Sequence, residues 1–233
     1  MARLDKTVCC CVLLCIAPAL CHSARGAETK RYARAMFERR GMVDVARLDP
    51  SLIVDLRYGT TRNFAGADMY GDMKWAYLTA EAAHSLVKAQ KLLKKYDKNY
   101  SIMVLDAARP VSTQWRMWRM WRVVRRGIGR QYVARPFKGG PHNYGVAVDV
   151  TLAYCGKEMD MGTEFDSFSD MAHTDHERQL VAQGRMTKAA LYHRYLLRKV
   201  MTQSGFMIYK REWWHFERHR IAWARRNLKQ LDF

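Results

Sequence analysis

His142 and Asp149 lie seven residues apart in GGPHNYGVAVDVTL, and Glu212 and His215 lie three apart in EWWHF. These residue types ligate metals and move protons. A lone histidine at a turn is most often structural. A carboxylate in the middle of an apolar strand is different, because burying it costs on the order of several kcal/mol unless a cation or hydrogen-bond donors compensate. The residues expected to share its face, Ala147 and Thr151, are small and leave room for something to bind. A metal is one economical answer. Glu212 and His215 could equally form a surface pair at a strand edge. Taken together, two histidines and one carboxylate make a catalytic zinc site with an open fourth position. A further carboxylate beside that position can take a proton from the bound water and deliver it to a leaving amine.

These residues need elements to hold them. Val146 to Leu152 alternates as a strand, with Val146, Val148 and Val150 on one face and Ala147, Asp149 and Thr151 on the other. SIMVLD (101–106) reads as a short buried strand, followed by an Ala107-Ala108-Arg109-Pro110 turn into a helix. In that helix Met117, Trp118, Met120, Trp121 and Val124 fall on one arc. Arg116, Arg119, Arg122 and Arg126 fall on the other, as in an amphipathic helix with a solvated basic face. Thr79 is a helix N-cap with Glu81 in the first turn, and that helix runs to about Tyr96. A long helix is expected from Thr187 to Ser204, stopping at Gly205. FMIY and WWHF read as strands, 46–57 as extended structure, 153–180 as irregular, and IAWARRNLKQLDF as a basic helical tail.

GGPHNYGVAVDVTL, MGTEFD and EWWHF resemble the D-alanyl-D-alanine dipeptidases associated with vancomycin resistance, a branch of the zinc D-Ala-D-Ala metallopeptidases. DLRYGTTRNFAG, Tyr70-Gly71, LDAARP and the SGF before the last motif extend the resemblance in the same order, over roughly Val54 to Phe216. It implies that His142, Asp149 and His215 bind one zinc ion per chain, with Glu212 as general base and then acid. It further implies that Arg109 steadies the oxyanion and that Asp166 receives the substrate ammonium. The chain departs from the family at Gly140, where Ser or Thr is common, and at Asn143, where Ser is common. Both positions are expected beside the substrate pocket. The implied fold is α+β, a central antiparallel sheet bearing the zinc site and flanked by helices. The implied reaction is hydrolysis of D-Ala-D-Ala, with a D,D-carboxypeptidase acting on stem peptides as the alternative.

The rest of the chain sets bounds. Its 233 residues fit one domain, and 49% apolar content fits a globular core. No run of eighteen apolar residues appears, so no transmembrane helix is expected once the N-terminus is removed. Residues 1–26 have the layout of a signal peptide: Arg3 and Lys6, an apolar run from Thr7 to Leu20, then small residues suited to a cut before Ala24 or Ala27. That leaves 27–233 as the mature domain, in the periplasm or secreted. Five of the six cysteines precede position 22, so Cys155 alone remains, expected as a small buried side chain rather than a catalytic thiol. The net charge of +18, about +16 without the leader, favours contact with anionic envelope polymers over nucleic acid in an exported protein.

Overall fold

The computed structural model describes residues 33–124 and 133–233. The leader, both expected cleavage positions and Arg126 lie outside the described residues. In chain order the elements are α1 (residues 33–39), β1 (Met42–Asp44), α2 (Val45–Leu48), β2 (Ile53–Val54), β3 (Tyr77–Thr79) and α3 (Ala80–Lys94). Then come β4 (Tyr100–Asp106), α4 (Val111–Val124), β5 (Ala147–Tyr154), β6 (Lys157–Glu158), α5 (Glu177–Ala182) and α6 (Lys188–Gln203). The chain closes with β7 (Met207–Tyr209), β8 (Glu212–Glu217) and α7 (Ile221–Asn227).

Side-chain caps set the helix starts. Thr79 accepts from the Ala82 N–H at the head of α3, and Thr187 accepts from Ala190 at the head of α6. The cap at Thr79 was legible from sequence; at Thr187 only the start of the helix was. The cap at Asp44 was not legible: its carboxylate accepts from the Ala46 N–H and turns Val45–Leu48 into one helical turn, where extended chain was expected. Extended structure resumes only at β2. The stretch 153–180, expected to be irregular, also holds β6 and α5.

The fold is α+β. The main sheet runs β2-β4-β5-β8-β7, with β6 pairing to β5. It is mixed rather than wholly antiparallel, because the edge strand β2 pairs with β4 in parallel. β5 lies at its centre and is buried at every position from Ala147 to Ala153, as a strand covered on both faces must be. Trp214, Phe216, Leu105 and Ile102 pack into the core around it, and full burial of each such side chain contributes about 1.5–3 kcal/mol. α4 lies with Met117 and Trp121 inward and Arg119 and Arg122 in solvent, the basic solvated face expected of it.

Two departures from regular pairing matter for the site. Between β4 and β5 the register slips, so that Val104 faces Val150 while Asp106 faces Asp149. Such a bulge re-aims the side chain that follows it. Between β7 and β8, Tyr209 pairs with Glu212 while Ile208 already pairs with Phe216. A regular strand would put Glu212 and His215 on opposite faces; this slip breaks the alternation.

The basic C-terminal segment is helical only over Ile221–Asn227, and its last residues are packed into the fold. After α7 the chain leaves helix, and Leu231 is wholly buried. The Leu231 N–H donates to the Asn143 carbonyl (2.9 Å) and its carbonyl accepts from Val111 (2.7 Å). Phe233 packs edge-on against Phe37 at 5.0 Å. Cys155 is exposed, contrary to expectation. It and Gly156 have φ of 49° and 77°, forming the tight turn between β5 and β6. Among the described residues no helix is long and apolar enough to cross a membrane.

Candidate active site

His142 sits on a 3-10 turn, Pro141–Tyr144, that ends at Gly145. Gly145 has φ of +67°, and a Cβ there would lie 2.7 Å from the Met42 sulfur, so glycine is required. Asn143 locks the turn. Its Oδ1 accepts from the Gly140 N–H (2.8 Å) and its Nδ2 donates to the Arg109 carbonyl (2.9 Å), while the Arg109 N–H donates to the His142 carbonyl (2.9 Å). Asn143 is therefore a wholly buried staple joining the His142 and Arg109 turns, and it does not line the cavity as expected; Gly140 does.

The three expected ligands converge. Asp149 and His215 are direct cross-strand partners on β5 and β8. Asp149 Oδ1 is 2.9 Å from His215 Nδ1 and 3.4 Å from His142 Nε2, and the two ring nitrogens are 3.2 Å apart. All three residues are buried. His142 Nδ1 faces the Ala107 carbonyl at 2.8 Å, which can only accept, so this nitrogen carries the proton and Nε2 presents a lone pair. His215 Nε2 faces Glu217 Oε1 at 3.5 Å, leaving Nδ1 toward the cluster. Each imidazole is thus oriented by an acceptor on its far side, the arrangement that fixes metal-ligating histidines. The donor set of two imidazoles and one carboxylate, buried and mutually within 3.4 Å, fits a zinc ion.

Charge on the cluster is coupled. Burial opposes ionisation of Asp149, but His142 and His215 hold it well below the usual carboxylate range. Burial likewise opposes the charge on His215, yet Asp149 and Glu217 raise it to about 10. A proton therefore occupies ground among these side chains that a cation would take instead.

Glu212 opens β8 and lines the same cavity as the triad. Burial, with the Asp149 charge adding to it, raises its carboxyl to about 7 against the pull of His215 and Arg109. Arg109 follows the bulge. Its Nε donates to Asp106 Oδ2 (3.2 Å), its Nη2 pairs with the same carboxylate, and its Nη1 donates to Gln114 Oε1 (2.9 Å). Burial works against the guanidinium charge, and Asp106, Tyr70 and Tyr58 more than offset it. The Tyr70 hydroxyl completes the Asp106 shell. Arg109 also lies over the Tyr58 ring at 5.0 Å.

Tyr58 leads to the far end of the site. Its hydroxyl donates to Asp166 Oδ1 (3.0 Å), and the Phe64 N–H donates to Oδ2 (3.1 Å). Asp166 is buried at φ of +62°, a conformation that a non-glycine residue holds at a cost and that clusters at functional sites. Burial pushes its carboxyl well above the usual range despite both donors.

One cavity of about 310 Å³ is lined by the triad, Glu212, Arg109 and Asp166. The room does not come from Ala147 and Thr151, which are buried away from it, but from the Gly139-Gly140 segment and the side chains opposite. Ile221 and Arg225 of α7 supply part of the wall, with Arg225 Nη2 donating to the Gly139 carbonyl (3.2 Å). Sequence reasoning missed Tyr58, Tyr70, Asp106, Gln114 and Glu217. Tyr58, Tyr70 and Asp106 lay within quoted motifs, and a buried charge such as Arg109 demands a counter-charge nearby. No local signal marked Gln114 or Glu217.

Fold and site together define an α+β protein with a buried His-Asp-His cluster at one end of a small cavity and a buried carboxylate at the other. Residues 38–231 match the family described as D-ala-D-ala dipeptidase, peptidase family M15. The chain is similar to the D-alanyl-D-alanine dipeptidase of Escherichia coli K12, 30% identical over 186 residues, covering 78% of this chain and 86% of that one. It is similar to the enzyme of that name from Enterococcus faecium, 29% over 180 residues, covering 70% and 83%. It is also similar to that of Synechocystis, 27% over 187 residues, covering 68% and 75%. The chain belongs to the D-Ala-D-Ala dipeptidase family of peptidases. The match runs beyond Val54–Phe216 at both ends and takes in α7 and the buried C-terminal residues.

Proposed function

We propose that this protein is a zinc-dependent dipeptidase that hydrolyses D-alanyl-D-alanine to two D-alanines. One observation carries the reading: His142, Asp149, His215, Glu212, Arg109 and Asp166 line a single cavity of about 310 Å³. That is near the lower bound of ligand pockets, roughly 300 Å³, and suits a dipeptide better than a stem peptide.

His142 Nε2, Asp149 Oδ1 and His215 Nδ1 would hold the zinc, which supplies Lewis acidity and lowers the pKa of water when bound. Asp166 receives the free ammonium of the substrate, so the reacting carbonyl lies between it and the triad. Glu212 takes a proton from the attacking water as its oxygen bonds to the carbonyl carbon. Arg109 pairs with the oxyanion that forms, its fork already aimed by Asp106 and Gln114. Glu212 then gives its proton to the leaving amine as the carbon–nitrogen bond breaks. Burial raises this carboxyl to about 7 in the metal-free site, the direction that favours holding the proton for return to the leaving amine.

The setting we propose is the periplasm or cell exterior after removal of residues 1–26, where the dipeptide is released in peptidoglycan turnover and is scavenged. The strongly basic surface, including exposed Arg119 and Arg122, suits contact with anionic envelope polymers. The test is purified mature protein assayed for zinc and for D-alanine release from D-Ala-D-Ala, with L-Ala-L-Ala as control. Chelation should abolish turnover and zinc should restore it. Activity that survives complete removal of metal sinks the mechanism. Equal rates on free and N-acetylated D-Ala-D-Ala would instead favour a carboxypeptidase.

A further inference from the structure

A second group of metal-ligating side chains lies outside the cavity. His173 ends the 3-10 turn Asp170–Ala172, and His176 caps α5 directly after Asp175. One ligand atom from each of His173, Asp175 and His176 lies within 4.8 Å of the others. The His173 and His176 rings are 5.0 Å apart, tilted by 36°. His173 Nε2 is buried and has no hydrogen-bond partner among the described residues. A buried polar nitrogen without a partner is uncommon; one bond to a cation would relieve it.

We propose that His173, Asp175 and His176 form a second, weaker divalent-cation site, taking zinc or another borderline transition metal rather than magnesium or calcium. Two imidazoles and one carboxylate set the preference, since magnesium and calcium favour oxygen donors. Geometry sets the ranking. Around a tetrahedral zinc with bonds of about 2.0–2.2 Å, ligand atoms stand about 3.3–3.6 Å apart. The active-site donors already lie 2.9–3.4 Å apart on strands. In the second set Asp175 Oδ1 stands 3.8 Å from His176 Nε2, and these two members, on a loop and a helix cap, have half-exposed or exposed side chains that must rotate inward. That rearrangement weakens the site without preventing it. His173 is already suited to ligation. Burial, with His176 and Arg211 nearby, lowers its pKa and favours the neutral ring, against the weaker pull of Asp175 and Asp170.

The site is tied to the catalytic hairpin. Thr174 donates its N–H to the Lys210 carbonyl (2.8 Å), in the turn between β7 and β8 that leads into Glu212. A cation bound here therefore braces the segment that presents Glu212.

The experiment is a zinc titration of the metal-free mature chain by equilibrium dialysis, read beside thermal unfolding. Two equivalents are expected, one tight and one weak. Asp175→Asn and His176→Ala, both at surface positions, should each weaken the second at least about 100-fold, more than loss of an outer-shell partner usually costs. Both should leave the first unchanged. His142→Ala should lose the tight equivalent, keep the weak one and still gain Tm on adding zinc. Uptake of a single equivalent by the wild type up to millimolar zinc overturns the proposal. So does a weak equivalent that survives both Asp175→Asn and His176→Ala, which would mark an adventitious ion at another surface histidine. Neither result bears on the active site, which the tight equivalent reports separately.

Discussion

Replacing Asp166 by Asn should separate substrate recognition from folding. The residue holds φ of +62°, where Asn is among the few other residues that sit at low cost. The amide has the same shape. Its oxygen can keep the Phe64 N–H now 3.1 Å from Oδ2, and its NH2 can donate to the Tyr58 hydroxyl, which now donates to Oδ1 at 3.0 Å and need only rotate. Both hydrogen bonds survive, so the structural cost is at most about 1 kcal/mol. The charge term has the opposite sign. Burial raises the Asp166 pKa well above its ordinary value. A carboxyl whose folded pKa exceeds its unfolded one contributes stability below the unfolded pKa and loses it as pH rises through the folded pKa. At neutral pH the amide avoids that loss, so the variant should be about as stable as the wild type or more so. Activity should fall. Removing one partner of a buried charge pair costs about 2–5 kcal/mol, which is about 30- to 5,000-fold in kcat/KM. The assay is D-alanine release from free and N-acetylated D-Ala-D-Ala. Wild type should reject the acetylated form, and in Asp166→Asn the ratio should collapse toward one through loss on the free dipeptide. A folded variant within threefold of wild type on free dipeptide refutes the ammonium role. A loss of more than about 2 kcal/mol in stability would show that the carboxylate is chiefly structural.

Other substitutions divide the remaining roles. His142→Ala, Asp149→Ala and His215→Ala should each leave well under one tight zinc per chain by elemental analysis, and full retention in His142→Ala would undo the ligand assignment. Glu212→Gln should keep zinc and lower kcat by on the order of 10²–10⁴-fold. In metal-free protein it should also remove part of the stability lost as pH rises from about 4.5 through about 7, on the order of a few kcal/mol, measured by denaturation against pH. Glu217→Gln should keep the fold while weakening zinc affinity about 10–100-fold, because its carboxylate orients His215 from the far side; unchanged affinity would make the contact incidental. N-terminal sequencing of the exported protein should begin at about Ala24 or Ala27, and an intact Met1 would refute the leader.

What the sequence revealed here depended on how local the cause was. The cap at Thr79, the helix start at Thr187 and the stop at Gly205 are written in a few consecutive residues, and the helices begin and end at them. The cap at Asp44 is the same device, but an apolar stretch with Pro50 beyond it reads as strand, and one turn of helix has no periodicity to announce it. Asp149 stood out as a candidate because a carboxylate inside VAVDV conflicts with its neighbours unless something binds it. Glu212 and His215 could be grouped by residue type, but their spacing did not place them on one face. Strand alternation alone assigns them to opposite faces, and the slip that reunites them is created by how β7 meets β8.

The least legible part is the support behind these groups. Asp106, Arg109, Tyr58 and Asp166 form one buried chain of contacts across more than a hundred residues of sequence, from the guanidinium fork at one end of the cavity to the carboxylate at the other. Each link alone looks like an ordinary buried polar residue. Arg109 cannot be buried without Asp106, and Tyr58 packs beneath the guanidinium while its hydroxyl holds Asp166, so the two ends of the cavity share a common support. The same holds for the C-terminal residues, which composition suggested only as a basic helical tail. Leu231 is wholly buried and bonded to both Asn143 and Val111, so the strap closes over the two turns that carry His142 and Arg109. Leu231 therefore adds a further tie between turns that Asn143 and the Arg109 N–H already join directly.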